Sequence, residues 1–265
     1  MPRNTGLIQF EGEMGNIIGF KKNGEYFVKQ GGSVSKDDIL TKPNFARTRE
    51  NMSKFRGAAF TARDLHNTFK DLNPIYDNQL YQRLFAKSKK VNLLDLINLR
   101  GQRNFDFTTA SARAFYQNLN LNRLQTFSTV FTPPFTQAFN APRTASTITI
   151  PTFDASNTII LPSGASHFRL FSKISSLSNY TYDSTTELYL PTNPTQTALT
   201  GTTYSAITPL SNTAVTFPIL SATIVGPIAF TTTVFGSIGI IFYQQDGPNF
   251  FRFYQKDAAK IIIAG

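Results

Sequence analysis

From Thr129 to Gly265 the chain runs for 137 residues with only six basic and five acidic side chains. A stretch so poor in charge draws its polarity from Thr, Ser, Asn and Gln. It is also cut into short pieces by Pro133, Pro134, Pro142, Pro151, Pro162, Pro209, Pro218, Pro227 and Pro248. Proline ends a helix and is excluded from a central strand, so the apolar runs between these residues read as short strands joined by turns. The candidates are 147–150, 158–161, 167–174, 187–190, 214–219, 228–234, 237–244, 250–254 and 260–264. Many short strands with Pro- and Gly-rich turns predict an antiparallel β-sandwich, jelly-roll-like, over residues 105–265.

The other half of the chain obeys different rules. Met1–Ser128 carries 20 basic and 11 acidic residues, and so supplies nearly all of the formal net charge of +10. Its first part is β-prone. Leu7, Ile8 and Phe10 form a brief apolar run, and Asn23-Gly24 sits between NIIGFKK and EYFVKQ. Asn-Gly accepts positive φ at both turn positions, which predicts a β-hairpin. Ser33–Lys42 reads as a polar connector, giving an N-terminal hairpin arm over residues 1–42. Pro43 then suits a first helical turn. A helix through ARTRENMSKF is expected, with Gly57 as a point of interruption. Ala58, Ala62, Leu65, Phe69 and Leu72 recur at spacings of 4, 3, 4 and 3, one face of a helix. Asn73-Pro74 breaks the chain, and Tyr76, Leu80 and Leu84 mark a further helix to about Lys90. The whole is thus predicted as α+β: hairpin arm, basic helical segment over 43–104, and β-sandwich.

Four motifs carry a family likeness. They are GFKKNGEYFVK at Gly19–Lys29, FARTRENMSKF at Phe45–Phe55, GASHFRLF at Gly164–Phe171 and GSIGIIFYQQDGPNFFRF at Gly236–Phe253. In this order and spacing they resemble a family of uncharacterised proteins common in the Bacteroidota. The likeness spans nearly the whole chain and implies a lineage, with no established activity. After the basic helix this chain reads KFRGAAF, where those relatives tend to show an acidic residue and a Gly-rich turn.

Candidate chemistry is sparse. With no cysteine there is no disulfide framework, thiolate zinc site, Fe–S cluster or thiol nucleophile. No apolar stretch approaches the ~18 residues of a membrane-spanning helix. The start MPRNTGLIQFEGEMGN lacks the apolar region of a secretory signal, which points to the cytoplasm or the inside of an assembled particle. Ser166-His167 are sequence neighbours, which is not triad geometry, and His66 has no second histidine four residues away. Both read as structural. Asp154, Asp183, Glu187, Asp246 and Asp257 read as turn formers rather than a facing carboxylate pair. Gly12, Gly15 and Gly19 match neither a phosphate loop nor a dinucleotide fingerprint. No catalytic, cofactor or metal residue is predicted.

Two features remain. Arg47, Arg49, Lys54, Arg56, Arg63, Lys87, Lys89 and Lys90, followed by Arg100 and Arg103, make a basic helical segment able to meet phosphate or a protein partner. The consecutive apolar residues of IGIIFYQ and NFFRFY imply strands covered on both faces, and Ile240, Phe242, Phe250, Phe251 and Phe253 are candidate assembly residues. The expected function is a non-enzymatic structural protein that self-assembles into a shell, sheet, tube or filament through its charge-poor sandwich, a virion-like coat being one form. Its partners would be other copies of itself. The alternative is a nucleic-acid-associated binding protein using the basic helices, and the third reading is a carbohydrate-binding or hydrolytic sandwich.

Overall fold

A computed structural model describes every residue except 1, 7, 33, 212, 254 and 255, so the expectations placed on Leu7, Ser33 and Tyr254 lie outside the described residues. The chain forms two compact units, Met1–Asn51 and Met52–Gly265.

In the first unit, β1 (Gly12–Met14), β2 (Ile17–Lys22) and β3 (Glu25–Gln30) form an antiparallel sheet in that order. Asn23 and Gly24 have φ of 53° and 84°, the two positive angles a tight hairpin turn demands. The turn fixes the register, so Phe20 lies opposite Phe27 and their rings stack at 5.8 Å. The expected polar connector contains a helix, α1 (Lys36–Thr41). Ser35 and Asp38 form a reciprocal capping box at its start, which stabilises a six-residue helix that buries none of its residues. Among the described residues of 1–51, no apolar side chain is buried.

The helix α2 (Ala46–Asn67) follows a short 3-10 turn at Pro43–Phe45 and belongs to the second unit from Met52 onward. Gly57 does not interrupt it. A β-carbon there would lie 2.5 Å from the Phe105 ring and 2.6 Å from the Tyr189 ring, so glycine is required by packing. The helix α3 (Leu80–Asn92) comes next. The remaining strands are β4 (Leu119–Asn120), β5 (Thr136–Phe139), β6 (Ala145–Thr149), β7 (Phe153–Asp154), β8 (His167–Ser178), β9 (Tyr180–Asp183), β10 (Leu188–Pro191) and β11 (Thr200–Tyr204). They are completed by β12 (Thr208–Pro209), β13 (Ala214–Val215), β14 (Leu220–Thr223), β15 (Thr232–Asp246), β16 (Asn249–Arg252) and β17 (Ala258–Ala264).

The α+β class holds: helices accompany many antiparallel strands. The largest sheet has the order β11-β8-β15-β17-β4, with β12 on β8 and β16 on β15, and a smaller one has the order β14-β6-β5. These sheets are open. The two long strands pair over twelve positions, from Thr232 opposite Ser178 to Tyr243 opposite His167. Side chains alternate across the sheet, so odd and even positions meet different partners. Phe171, Leu177, Phe235 and Ile241 join Ala58, Ala62, Leu65, Phe69, Leu80 and Leu84 in one core beneath the helices. Phe168, Leu170, Ile238, Ile240 and Phe242 join Ile148 and Leu220 in a second core beneath the small sheet.

This arrangement corrects three expectations. Both faces of the central strands are covered, as their composition implies, but the cover comes from the same chain. Ile240 and Phe242 are fully buried and offer no surface to a neighbour. Phe253 is half-buried against the second core, whereas Phe250 and Phe251 are exposed. Second, no boundary at 104/105 separates helices from sheets, because they share the first core. Third, the strand expected at 158–161 begins as a helical turn, Ala155–Thr158. Asp154 accepts from the Ser156 N–H at 2.9 Å and so caps it. The runs 228–234 and 237–244 contribute to one strand, β15, with a bulge against β17 at Gly236/Ser237.

Candidate functional site

The basic residues separate into those used up in holding the fold and those that converge. Arg47 pairs with Glu50 at 3.1 Å. Arg49 donates to the carbonyls of Ile39 and Lys42 at 2.8 and 2.9 Å, satisfying backbone acceptors at the end of α1. Arg56 reaches the Glu187 carbonyl at 3.5 Å, and Arg63 pairs with Asp64 at 3.1 Å while lying over the Phe60 ring.

Lys54, Lys87, Lys89 and Lys90 are placed differently, and α3 decides how. Leu80, Leu84, Ser88 and Val91 point into the core at spacings of 4, 4 and 3. Residues 83, 87 and 90 therefore fall on one flank of the helix, and 81, 85 and 89 on the other. On the first flank Arg83, Lys87 and Lys90 border an open groove of about 500 Å³, together with Asn118, Asn120 and Arg123. Arg83 is locked by Asp77 at 2.9 Å and by the Leu121 carbonyl at 2.7 Å, and Lys87 donates to the Phe115 carbonyl. Burial, then the charges of Lys90 and Arg83, push the Lys87 ammonium down from its ordinary pKa. Asn118 holds its loop with a φ of 60°.

On the second flank Lys89 lies 5.3 Å from the Phe55 ring centre and 5.0 Å from that of Phe85. The rings of Phe55 and Phe85 are 6.0 Å apart, and Tyr81 stacks on Phe85 at 6.4 Å. Burial, then Lys89 and Arg103, lower the Lys54 pKa. Both flanks are thus positive, and the Asp77 carboxylate is paired with Arg83. Sequence spacing alone did not select Arg83, Arg123 or Asn118. Arg83 was legible from the helical wheel of α3, while the other two reach the groove only because residues 117–126 fold back beside it.

The residues weighed for catalysis have structural partners. His167 Nδ1 is 2.9 Å from Ser166 Oγ, which accepts from the Gln245 N–H at 2.8 Å, and the imidazole packs edge-on against Phe250. His66 sits against the rings of Tyr76 and Tyr81, and burial followed by Lys70 lowers its pKa. Asp183 accepts from the Thr185 N–H and the Thr186 hydroxyl within its turn. Among the described residues no three His, Cys, Asp or Glu side chains gather as for a metal ion, and no helix is long and apolar enough to cross a membrane.

One further surface is exposed and apolar. In the loop after α3, Leu96, Ile97 and Leu99 are 83%, 94% and 74% exposed. The loop is nevertheless held firmly. Asp95 accepts from the N–H groups of Ile97, Asn98 and Asn104 and from the Asn98 amide at 2.7–3.1 Å. Burial alone would raise the Asp95 pKa, but these hydrogen bonds outweigh it and hold the carboxyl at about 2.

Comparison with models of protein families, with curated proteins and with solved structures finds no match to this chain.

Proposed function

We propose that this protein is a non-enzymatic structural protein that assembles with copies of itself, its residues 1–51 acting as an arm. The observation that carries this reading is the absence of any buried apolar side chain among the described residues of the arm. A three-stranded sheet needs a covered apolar face to be stable. Here Ile8, Met14, Ile17 and Leu40 are all exposed. Covering such side chains contributes about 1 kcal/mol or more each. The edge strand β1, only three residues long, is open to a further strand.

The exposed loop 93–99 and Phe250 and Phe251 of β16 supply apolar surface on the second unit for the same purpose. In this reading the three-stranded sheet lying on the seven-stranded one is the sandwich body, jelly-roll-like in its long-range antiparallel pairing, and a shell, sheet, tube or filament is built by contacts at its periphery. The test is light scattering coupled to size-exclusion chromatography, with negative-stain microscopy. The wild-type protein should elute as a multiple of 29.5 kDa. Met14→Asp combined with Ile17→Asp should shift it toward the monomer with unchanged far-ultraviolet circular dichroism. A wild type that stays a 29.5 kDa monomer at high concentration overturns the proposal.

A further inference from the structure

We propose that the two flanks of α3 form a binding site for single-stranded nucleic acid, with phosphates in the groove and bases against the Phe55–Phe85 edge. The groove supplies cations that the fold leaves uncommitted. Among the described residues, the Arg123 guanidinium makes no hydrogen bond or ion pair, and the Lys90 ammonium meets only the Phe115 ring, 5.8 Å from its centre. Arg83, Lys87 and Lys90 stand at successive helical turns, so their side chains follow one another about 5–6 Å apart, as the repeating charges of an extended polyanion require. The pKa of the Lys87 ammonium is lowered by burial first and then by the neighbouring charges of Lys90 and Arg83. The amides of Asn118 and Asn120 line the same groove, and the Asn120 amide oxygen already accepts from the Phe127 N–H.

The second flank argues for exposed bases. Phe55 is 47% exposed on the surface of α2, an unfavourable place for a phenyl ring unless a flat apolar partner meets it. It stands beside Phe85, on which Tyr81 stacks, with the Lys89 ammonium 5.3 Å from its centre, and Lys89 and Arg103 act on the adjoining Lys54. Aromatic faces interleaved with cations are what a single strand uses: bases stack while the backbone follows the charge. A duplex hides its base faces and would gain nothing from Phe55. A lipid surface would use the cations and leave the stacking edge idle.

The test is fluorescence anisotropy with a labelled thymidine oligonucleotide, a labelled duplex and vesicles of phosphatidylserine in phosphatidylcholine, each over a series of salt concentrations. The expected result is binding of the single strand in preference to the duplex. Lys90→Ala combined with Arg123→Ala should reduce the slope of log K against log salt by about 1.4, two contacts at about 0.7 each. Phe55→Ala should weaken binding about fivefold or more while leaving that slope unchanged. All three side chains are at the surface, and Arg47→Ala, remote in role, should change nothing. No binding of the single strand at low salt overturns the proposal. So does equal binding of the duplex with no effect of Phe55→Ala, and so does binding of vesicles without binding of the oligonucleotide. The outcome is independent of the oligomeric state read by light scattering.

Discussion

Replacing Gly57 with alanine should weaken the fold, although helix propensity favours the change. Alanine is better than glycine inside a helix by about 0.8–1.0 kcal/mol. Against this stands the space available. The new methyl carbon would lie 2.5 Å from Phe105 and 2.6 Å from Tyr189, well inside van der Waals contact. Neither ring is free to retreat. Phe105 exchanges backbone hydrogen bonds with Tyr180 at 2.8 and 3.0 Å, Tyr189 donates its hydroxyl to the Gly101 carbonyl at 2.9 Å, and the two rings pack edge to face at 5.1 Å. Overpacking of a filled core typically costs about 1–3 kcal/mol. Loss of the tyrosine hydrogen bond adds about 1 kcal/mol. Taken with the propensity gain, the net loss should be about 1–3 kcal/mol, or a fall in Tm of roughly 2–12 °C for a domain of this size. Urea and thermal unfolding of the full chain measure it directly. Ala59→Gly, two residues further along the same helix and only half-buried, gives the propensity scale and should lose about 1 kcal/mol. A Gly57→Ala protein with a Tm at or above that of wild type would refute the packing argument.

Two further changes probe buried and strained charge. Asp95 has a folded-state pKa of about 2, below the ordinary value of 3.8, so its contribution is complete above about pH 4 and fades as the pH falls toward 2. Hydrogen exchange at Ile97, Asn98 and Asn104 should accelerate over that window, and protection that persists below it would count against the bonding scheme. Lys173 has a fully buried side chain that donates to both Asp71 oxygens at 2.8 Å and to Thr202 at 3.0 Å. Burial lowers its pKa, and Asp71 opposes that shift. Asp71→Ala strands the buried ammonium and should cost about 3 kcal/mol in urea unfolding, whereas Lys173→Met should be close to neutral. Equal losses from the two would show that the pair acts as a simple attraction.

Much of the fold follows from local rules. The Asn23-Gly24 turn, the core face Ala58-Ala62-Leu65-Phe69-Leu72, and the run of strands after Pro133 could be read because each depends on residues a few positions apart. What covers the central strands could not be read in this way. Their odd positions meet helices that precede both strands by many tens of residues, and their even positions meet β5, β6 and β14, which lie on either side of β8 in the chain. Composition shows that Ile240 and Phe242 are covered; it carries no record of which segment covers them, and a neighbouring copy fits the pattern equally well. The basic segment is similar. Its charge density is plain in the sequence, but Arg49 is withdrawn by carbonyls and Arg63 by a carboxylate, while Arg123 is recruited from a loop. Only the tertiary arrangement sorts structural cations from available ones.

The coreless arm has a consequence for how the protein is made. Residues 1–51 leave the ribosome ahead of the 214 residues from Met52 to Gly265. At about 5–20 residues per second, synthesis of the rest occupies roughly 10–40 s. Throughout that interval the arm has an open strand edge and uncovered apolar side chains, with no folded body of its own chain beside it. In the proposed assembly, the surfaces that would cover it belong to nascent neighbours on the same messenger. Under the self-assembly proposed above, copies translated together would have an opportunity to pair before either body is complete, and protein refolded from denaturant would meet its partners in a different order than protein emerging from polysomes.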